Sequence, residues 1–206
     1  MPKLATIDPQ ASYTFADFFK LHFAPPDILS YFGYSLRRDY LYLPRYSGEW
    51  DLKNCIQGYL PRFSLTTEIA RWEFLIAPVV IDLLHYTPPE IRVEYPIFVS
   101  PQLQGTLDYL LQGRSTLVVI AAKNEDLEQG LVQLAVALIA LDRWLDSPRT
   151  LIYGAVSTGT IWQLGVLDRG QQLVTQDLNL YRVPADLEDL MPILVAILLN
   201  ENHHDS

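Results

Sequence analysis

Cysteine is almost missing from this chain. Of 206 residues only Cys55 carries a thiol, so no internal disulfide can form, and the fold must rest on its core in what reads as a reducing compartment. Long apolar runs are missing too. The longest, "MPILVAILL" at 191–199, is about half of the ~18 residues that span a bilayer, and it reads as a buried C-terminal helix. The N-terminus has no basic start followed by an apolar stretch, so neither a secretory leader nor a membrane partner is expected, and the expected location is cytoplasmic. Positive charge is scarce: 15 Lys and Arg face 24 Asp and Glu, a net charge of −9. That bulk charge opposes free-standing nucleic-acid binding, although local patches or bound divalent metals can reverse the sign of a small site. His22, His85, His203 and His204 show no ligand spacing with Cys55 or one another, which argues against zinc. Repeats, low-complexity tracts and Gly/Ser linkers are absent as well.

What is present is a globule. Half of the residues are hydrophobic and 19% are charged, and a chain of this length buries roughly 70% of its unfolded surface. Residues 1–62 read as an N-terminal extension packed on the core. Within it "FADFFKLHF" suits a short helix, "YSLRRDYLYLPRY" extended chain and "EWDLKNCIQGYL" a second helix. The remainder, 63–206, opens with a helix capped by Ser64 or Thr66 that runs through "EIARWEFLIAPVVIDLLHY" and kinks at Pro78. "IRVEYPIFVS", "QGTLDYLL" and "TLVVIAA" then read as strands, with Gly105 and "QGRS" supplying the turns between them. Asn124 is the expected cap of a helix whose leucines at 127, 131, 134, 138, 141 and 145 mark one face toward the sheet. "LIYGAVST", "TIWQLGVLD" and "LNLYRV" follow as strands, with "STGTIW" as a hairpin turn, and a helix from about Asp186 to Leu199 closes the chain. The order predicts an α/β fold with a mixed sheet and helices on it.

Chemistry concentrates where the third strand ends in Ala121-Ala122-Lys123. Alternation puts 121 and 123 on one side of that strand. Asp108, a lone acid in "GTLDYLL", is costly to bury without a partner or a metal. With these residues the segment 64–166 resembles the PD-(D/E)XK, restriction-endonuclease-like nuclease superfamily, and is most similar to nuclease domains of type I restriction motor subunits. The resemblance implies a core of helix, three strands, helix and strand. It also implies a catalytic set made of Glu68 in the first core helix, Asp108, the strand-end lysine Lys123, and Gln133 in the next helix, with Gln129 one turn earlier as its alternate. Mg2+ or Mn2+ would be held by Asp108 and the backbone carbonyl of Ala122, and the substrate would be DNA.

The departure lies at the centre of the motif. Where the superfamily carries Asp or Glu, this chain has Ala121. Mg2+ needs oxygen ligands and typically leans on one or two carboxylates, so losing one predicts impaired or absent hydrolysis. Glu125 and Glu128 are the nearest substitutes. The other class of reading is a non-catalytic module that keeps the scaffold and docks a protein partner, and self-association stays open. A further candidate is 31–50, where Arg37, Arg38 and Arg45 stand among Tyr31, Tyr34, Tyr40, Tyr42, Tyr46 and Trp50. That mixture suits either single-strand stacking or an edge strand with wet arginines.

Overall fold

The β-branched and apolar runs pair into a sheet of seven strands: β1 (Ser35–Asp39), β2 (Glu90–Ser100), β3 (Leu103–Gln112), β4 (Thr116–Ala121), β5 (Leu151–Ser157), β6 (Ile161–Asp168) and β7 (Leu173–Arg182). A computed structural model describes residues 7–8, 10–21, 23–121 and 126–200. Across the sheet the order is β1-β7-β6-β5-β4-β3-β2. β2, β3 and β4 form antiparallel pairs, β4 and β5 are parallel, and β5, β6 and β7 are antiparallel again. β1, from the N-terminal extension, adds to β7 in parallel, so the extension supplies an edge of the sheet. β4 lies near the centre with Leu117, Val118, Val119 and Ile120 all fully buried, as its unbroken apolar run requires of a strand covered on both faces.

The helices α1 (Pro25–Tyr31), α2 (Leu52–Tyr59), α3 (Glu68–Arg71), α4 (Ala77–Asp82), α5 (Leu127–Trp144) and α6 (Leu187–Leu199) cover the sheet. On one face α5 packs on Leu110, Val118 and Ile120; on the other α2, α4 and α6 enclose Leu111, Leu117, Val119 and Trp162. The leucine stripe of α5 predicted a single buried face, yet every residue from Gly130 to Leu141 is buried. The reason is the N-terminal extension: a 3-10 helix, Phe15–Leu21, lies against α5, and its Phe15 and Phe18 join the same core. Among the described residues no helix is long and apolar enough to cross a membrane.

Several local expectations shift by a few residues for identifiable reasons. The first core helix is capped by Thr67, whose hydroxyl accepts from the Ala70 amide, rather than by Ser64 or Thr66. Between α3 and α4 the chain takes one wide π-type turn, Trp72–Ile76. Pro78 follows it, and because proline has no N–H it cannot bond the Phe74 carbonyl one turn back. The Tyr59 hydroxyl donates to that carbonyl instead, at 2.8 Å. Asp126 rather than Asn124 caps α5, accepting from the Gln129 amide at 3.0 Å; Asn124 itself lies outside the described residues. β7 begins at Leu173, five residues before the predicted strand.

Gly105 is not a turn residue. It lies inside β3, and the β2–β3 turn is made at Pro101 and Gln102. A methyl group at 105 would stand 2.5 Å from the Phe15 ring, so this glycine is where the extension presses onto the sheet.

Candidate functional site

The β2–β3 hairpin rolls over along its length, and the roll decides where Asp108 goes. Ile91, Tyr109 and Leu111 pack with the α6-side core, whereas Tyr95, Ile97, Leu103 and Leu107 pack with the α5-side core. The exchange happens between the pairs Val93↔Tyr109 and Tyr95↔Leu107, which bracket Glu94 and Asp108. Glu94 has a positive φ of 49°, a conformation few non-glycine residues adopt. Simple alternation assumed a flat strand and could not have placed this acid on either face.

Asp108, half-buried, lines an open cleft of about 490 Å³ on the α5 side with Glu94, Gly105, Thr106 and Gln133; Thr14, Phe15 and Ala16 of the extension form the facing wall. Asp108 and Gln133 are thus brought together. Gln133 is largely buried as a residue, lines the cleft, and has no hydrogen-bond partner for its amide among the described residues, so the amide is open to what fills the cleft. The donors gathered here are carboxylate, amide and hydroxyl oxygens, the set a hard divalent cation takes. Among the described residues no three His, Cys, Asp or Glu side chains converge as a metal cluster, so such an ion would lean on few protein ligands and on water. Next to Asp108, the phenol of Tyr109 accepts a hydrogen bond from the Trp72 indole N–H. Burial pushes that phenol above its ordinary pKa, the indole N–H opposes the rise, and the Asp108 charge adds to it.

No protein-family model, no curated protein and no solved structure matches this chain.

Among the described residues, the other sequence candidates Glu68, Gln129 and Glu128 do not line this cleft. Lys123, Ala122 and Glu125 lie outside the described residues. Ala121 is the last residue of β4; it pairs with Ser157 of β5 and stands two residues past the final β3–β4 pair, Tyr109↔Val119. Glu68 opens α3 and is exposed; it does not line the Asp108 cleft, and the residues that follow it pack toward the opposite core. Trp72, one turn on, bonds to Tyr109, so α3 still approaches the Asp108 strand from behind. Gln129 serves the start of α5 through its backbone amide. Glu128 points elsewhere: it pairs with Arg38 at 3.1 Å and lines a separate cleft with Pro25 and Val132.

The basic and aromatic segment resolves mainly into packing. Arg38 meets Glu128, Arg45 meets Asp189 at 2.8 Å, and Arg37 reaches Asp39 at 3.9 Å. Tyr34 is buried and donates to Asp142, while Trp50 meets Tyr46 edge-on and Tyr86 at a tilt. Tyr40 and Tyr42 remain exposed. Glu94 escaped the sequence reading entirely, because a single acid in "IRVEYPIFVS" looks like the solvated side of a strand; a positive φ leaves no mark in sequence.

Proposed function

We propose that this chain is a nuclease-fold protein of the PD-(D/E)XK kind, hydrolysing DNA phosphodiester bonds with Mg2+ or Mn2+, and impaired by alanine at 121. The observation that carries the reading is the convergence of Asp108 and the unpartnered Gln133 on one cleft. The order of helix, three antiparallel strands, helix and parallel strand around it supports the same core. A divalent cation would supply Lewis acidity toward the phosphodiester and lower the pKa of a water. By the resemblance, Asp108 would hold the cation with the Ala122 carbonyl, Lys123 would orient the attacking water, and Gln133 would offer its amide to water or phosphate. Glu68 has at most a supporting part. The net charge of −9 makes the cation the local source of attraction for a polyanion.

The test is nicking of supercoiled DNA by the full chain with Mn2+, Mg2+ or chelator. Weak, metal-dependent nicking that Asp108→Asn abolishes is the expected result. Equal inertness or equal activity of parent and Asp108→Asn would overturn the reading. A second reading, a protein-docking module, is favoured by the edge of β2, unpaired among the described residues, where Val93 and Phe98 are exposed. Complete inertness together with a partner lost on Phe98→Lys would establish it.

A further inference from the structure

We infer that the outward face of α4 and of the turns flanking it is an interface with a second copy of this chain, in which Phe74, Ala77, Ile81 and Leu84 of one copy pack head-to-tail on the same residues of the other. The inference goes beyond the nuclease reading and does not rest on it. The face belongs to the α6 side of the sheet, across it from the Asp108 cleft.

From Phe74 to Leu84 the chain reads "FLIAPVVIDLL", and Asp82 is its one charged residue. It passes from the π-type turn through α4 into a 3-10 turn, Leu83–His85. Leu75, Ile76, Val79, Val80 and Leu83 are buried in the core, which leaves Phe74, Ala77, Ile81 and Leu84 on the outward side at spacings of three and four. Ile81 is 58% exposed and Leu84 49%. Phe63, itself exposed, stacks on Phe74 with ring centroids 3.9 Å apart and widens the patch. A helix that is apolar all round is ordinarily buried. Two other helices of this fold obey that rule: α5 is buried from Gly130 to Leu141, with the extension on its outer side, and α6 is buried from Leu190 to Leu198. α4 has the same apolar composition and, among the described residues, lacks a cover.

The face is complementary to itself. In a two-fold interface each contact occurs twice, residue i on j and j on i. Antiparallel pairing about the level of Val79 sets Ile81 against the partner's Ala77 and Ala77 against the partner's Ile81, while Phe74 and Leu84 exchange in the same way at the two ends. A large side chain thus faces a small one at the centre, as interdigitated packing requires. Parallel pairing would set Ile81 on Ile81 and the exposed Glu73 beside its own copy, whereas the antiparallel one carries Glu73 to the end that bears the exposed imidazole of His85. The stripe holds no Lys or Arg, the residues by which an acidic membrane surface would be recognised. Covering these side chains on both copies removes on the order of 1,000 Å² of surface, the lower limit of a specific interface, so the dimer is a weak one with a dissociation constant of about micromolar order.

The experiment is sedimentation velocity of the full chain from about 1 to about 100 μM. Beside it run Ile81→Lys, Ala77→Leu, the exchange Ala77→Leu plus Ile81→Ala, Phe98→Lys on the β2 edge and Asp108→Asn in the cleft, with urea denaturation to show that each is folded. The parent is expected to pass from monomer to dimer across that range. Ile81→Lys and Ala77→Leu each weaken the dimer about tenfold or more, and the exchange regains most of the loss because the large and small residues have traded places. Phe98→Lys and Asp108→Asn leave it unchanged, so this inference and the nuclease reading fail separately. A parent still monomeric at the top of the range overturns the inference and leaves the face to a different protein. A dimer that survives in folded Ile81→Lys, or that Phe98→Lys dissolves, overturns it as well, and an exchange that recovers nothing overturns the head-to-tail pairing.

Discussion

Replacing Gly105 by alanine tests whether the N-terminal extension is clamped to the sheet by one close contact. The added Cβ would lie 2.5, 2.7 and 2.9 Å from three ring carbons of Phe15. Carbon atoms pack at about 3.5–4.0 Å, so the ring would have to withdraw by roughly 1 Å. Phe15 is only 1% exposed and shares its core with Phe18, Leu103 and Leu107, which leaves little room to move. Overpacking of this kind costs about 1–3 kcal/mol, and its ceiling is the loss of the ring itself, about 3–5 kcal/mol for Phe15→Ala. The double variant is decisive: once the ring is gone the clash is relieved and only the backbone strain of alanine at φ 159° remains, so Gly105→Ala plus Phe15→Ala should cost clearly less than the sum of the two single changes. Urea denaturation of the four proteins, with equal slopes, gives the coupling, expected at about 1–3 kcal/mol. Additive costs would refute the clamp. Because Phe15 and Gly105 also line the Asp108 cleft, Gly105→Ala should weaken Mn2+ binding as well.

Ala121→Glu should raise Mn2+ affinity and divalent-dependent DNA nicking, and adding Lys123→Ala should abolish the nicking while largely sparing the metal; a folded but metal-silent Ala121→Glu protein would count against the strand-end site. The Lys20 ammonium, with the hydroxyl and amide of Thr14, holds the Asp17 carboxyl down at about 2, against 3.8 for the free side chain. A folded-state pKa below the unfolded one stabilises above the unfolded value and is lost as pH falls through about 2. The full shift corresponds to about 2 kcal/mol, and to about 1 kcal/mol after solvent screening of this partly exposed pair. Melting of the parent and Asp17→Asn should therefore differ at pH 6 and converge near pH 2, and a gap independent of pH would refute this. Tyr59→Phe removes the donor to the Phe74 carbonyl and should cost about 1 kcal/mol in urea denaturation, whereas an unchanged midpoint would mean that water replaces the hydroxyl.

Much of the element order was legible along the chain, because periodicity and capping are short-range. "LVVI" reads as a strand covered on both faces, the leucines of 127–141 read as a helix, and the Trp-bearing strand after "YGAVST" lies where turn chemistry set it. Asp108 stood out as a lone acid among apolar residues, and Gln133 as an interruption in "LVQLAVALIAL". Which face each occupied was beyond reach. The capping of α5 was misplaced from Asn124 to Asp126 because both are good acceptors, and only the path of the chain chooses between them.

The sequence by itself determined the α/β order, the absence of an internal disulfide, the net negative charge and the alanine at 121 at the end of a buried strand, all of which follow from residue types and spacings of a few positions. The tertiary structure alone decided that the extension supplies the edge strand β1 and buries the outer side of α5, that Glu128 belongs to Arg38, and that Glu94 stands with Asp108 and Gln133 around one cleft. The physical reason is the rolled β2–β3 hairpin. A strand's alternation is a property of its sequence only while the ribbon stays flat, and here the two faces exchange around Glu94, where φ is positive.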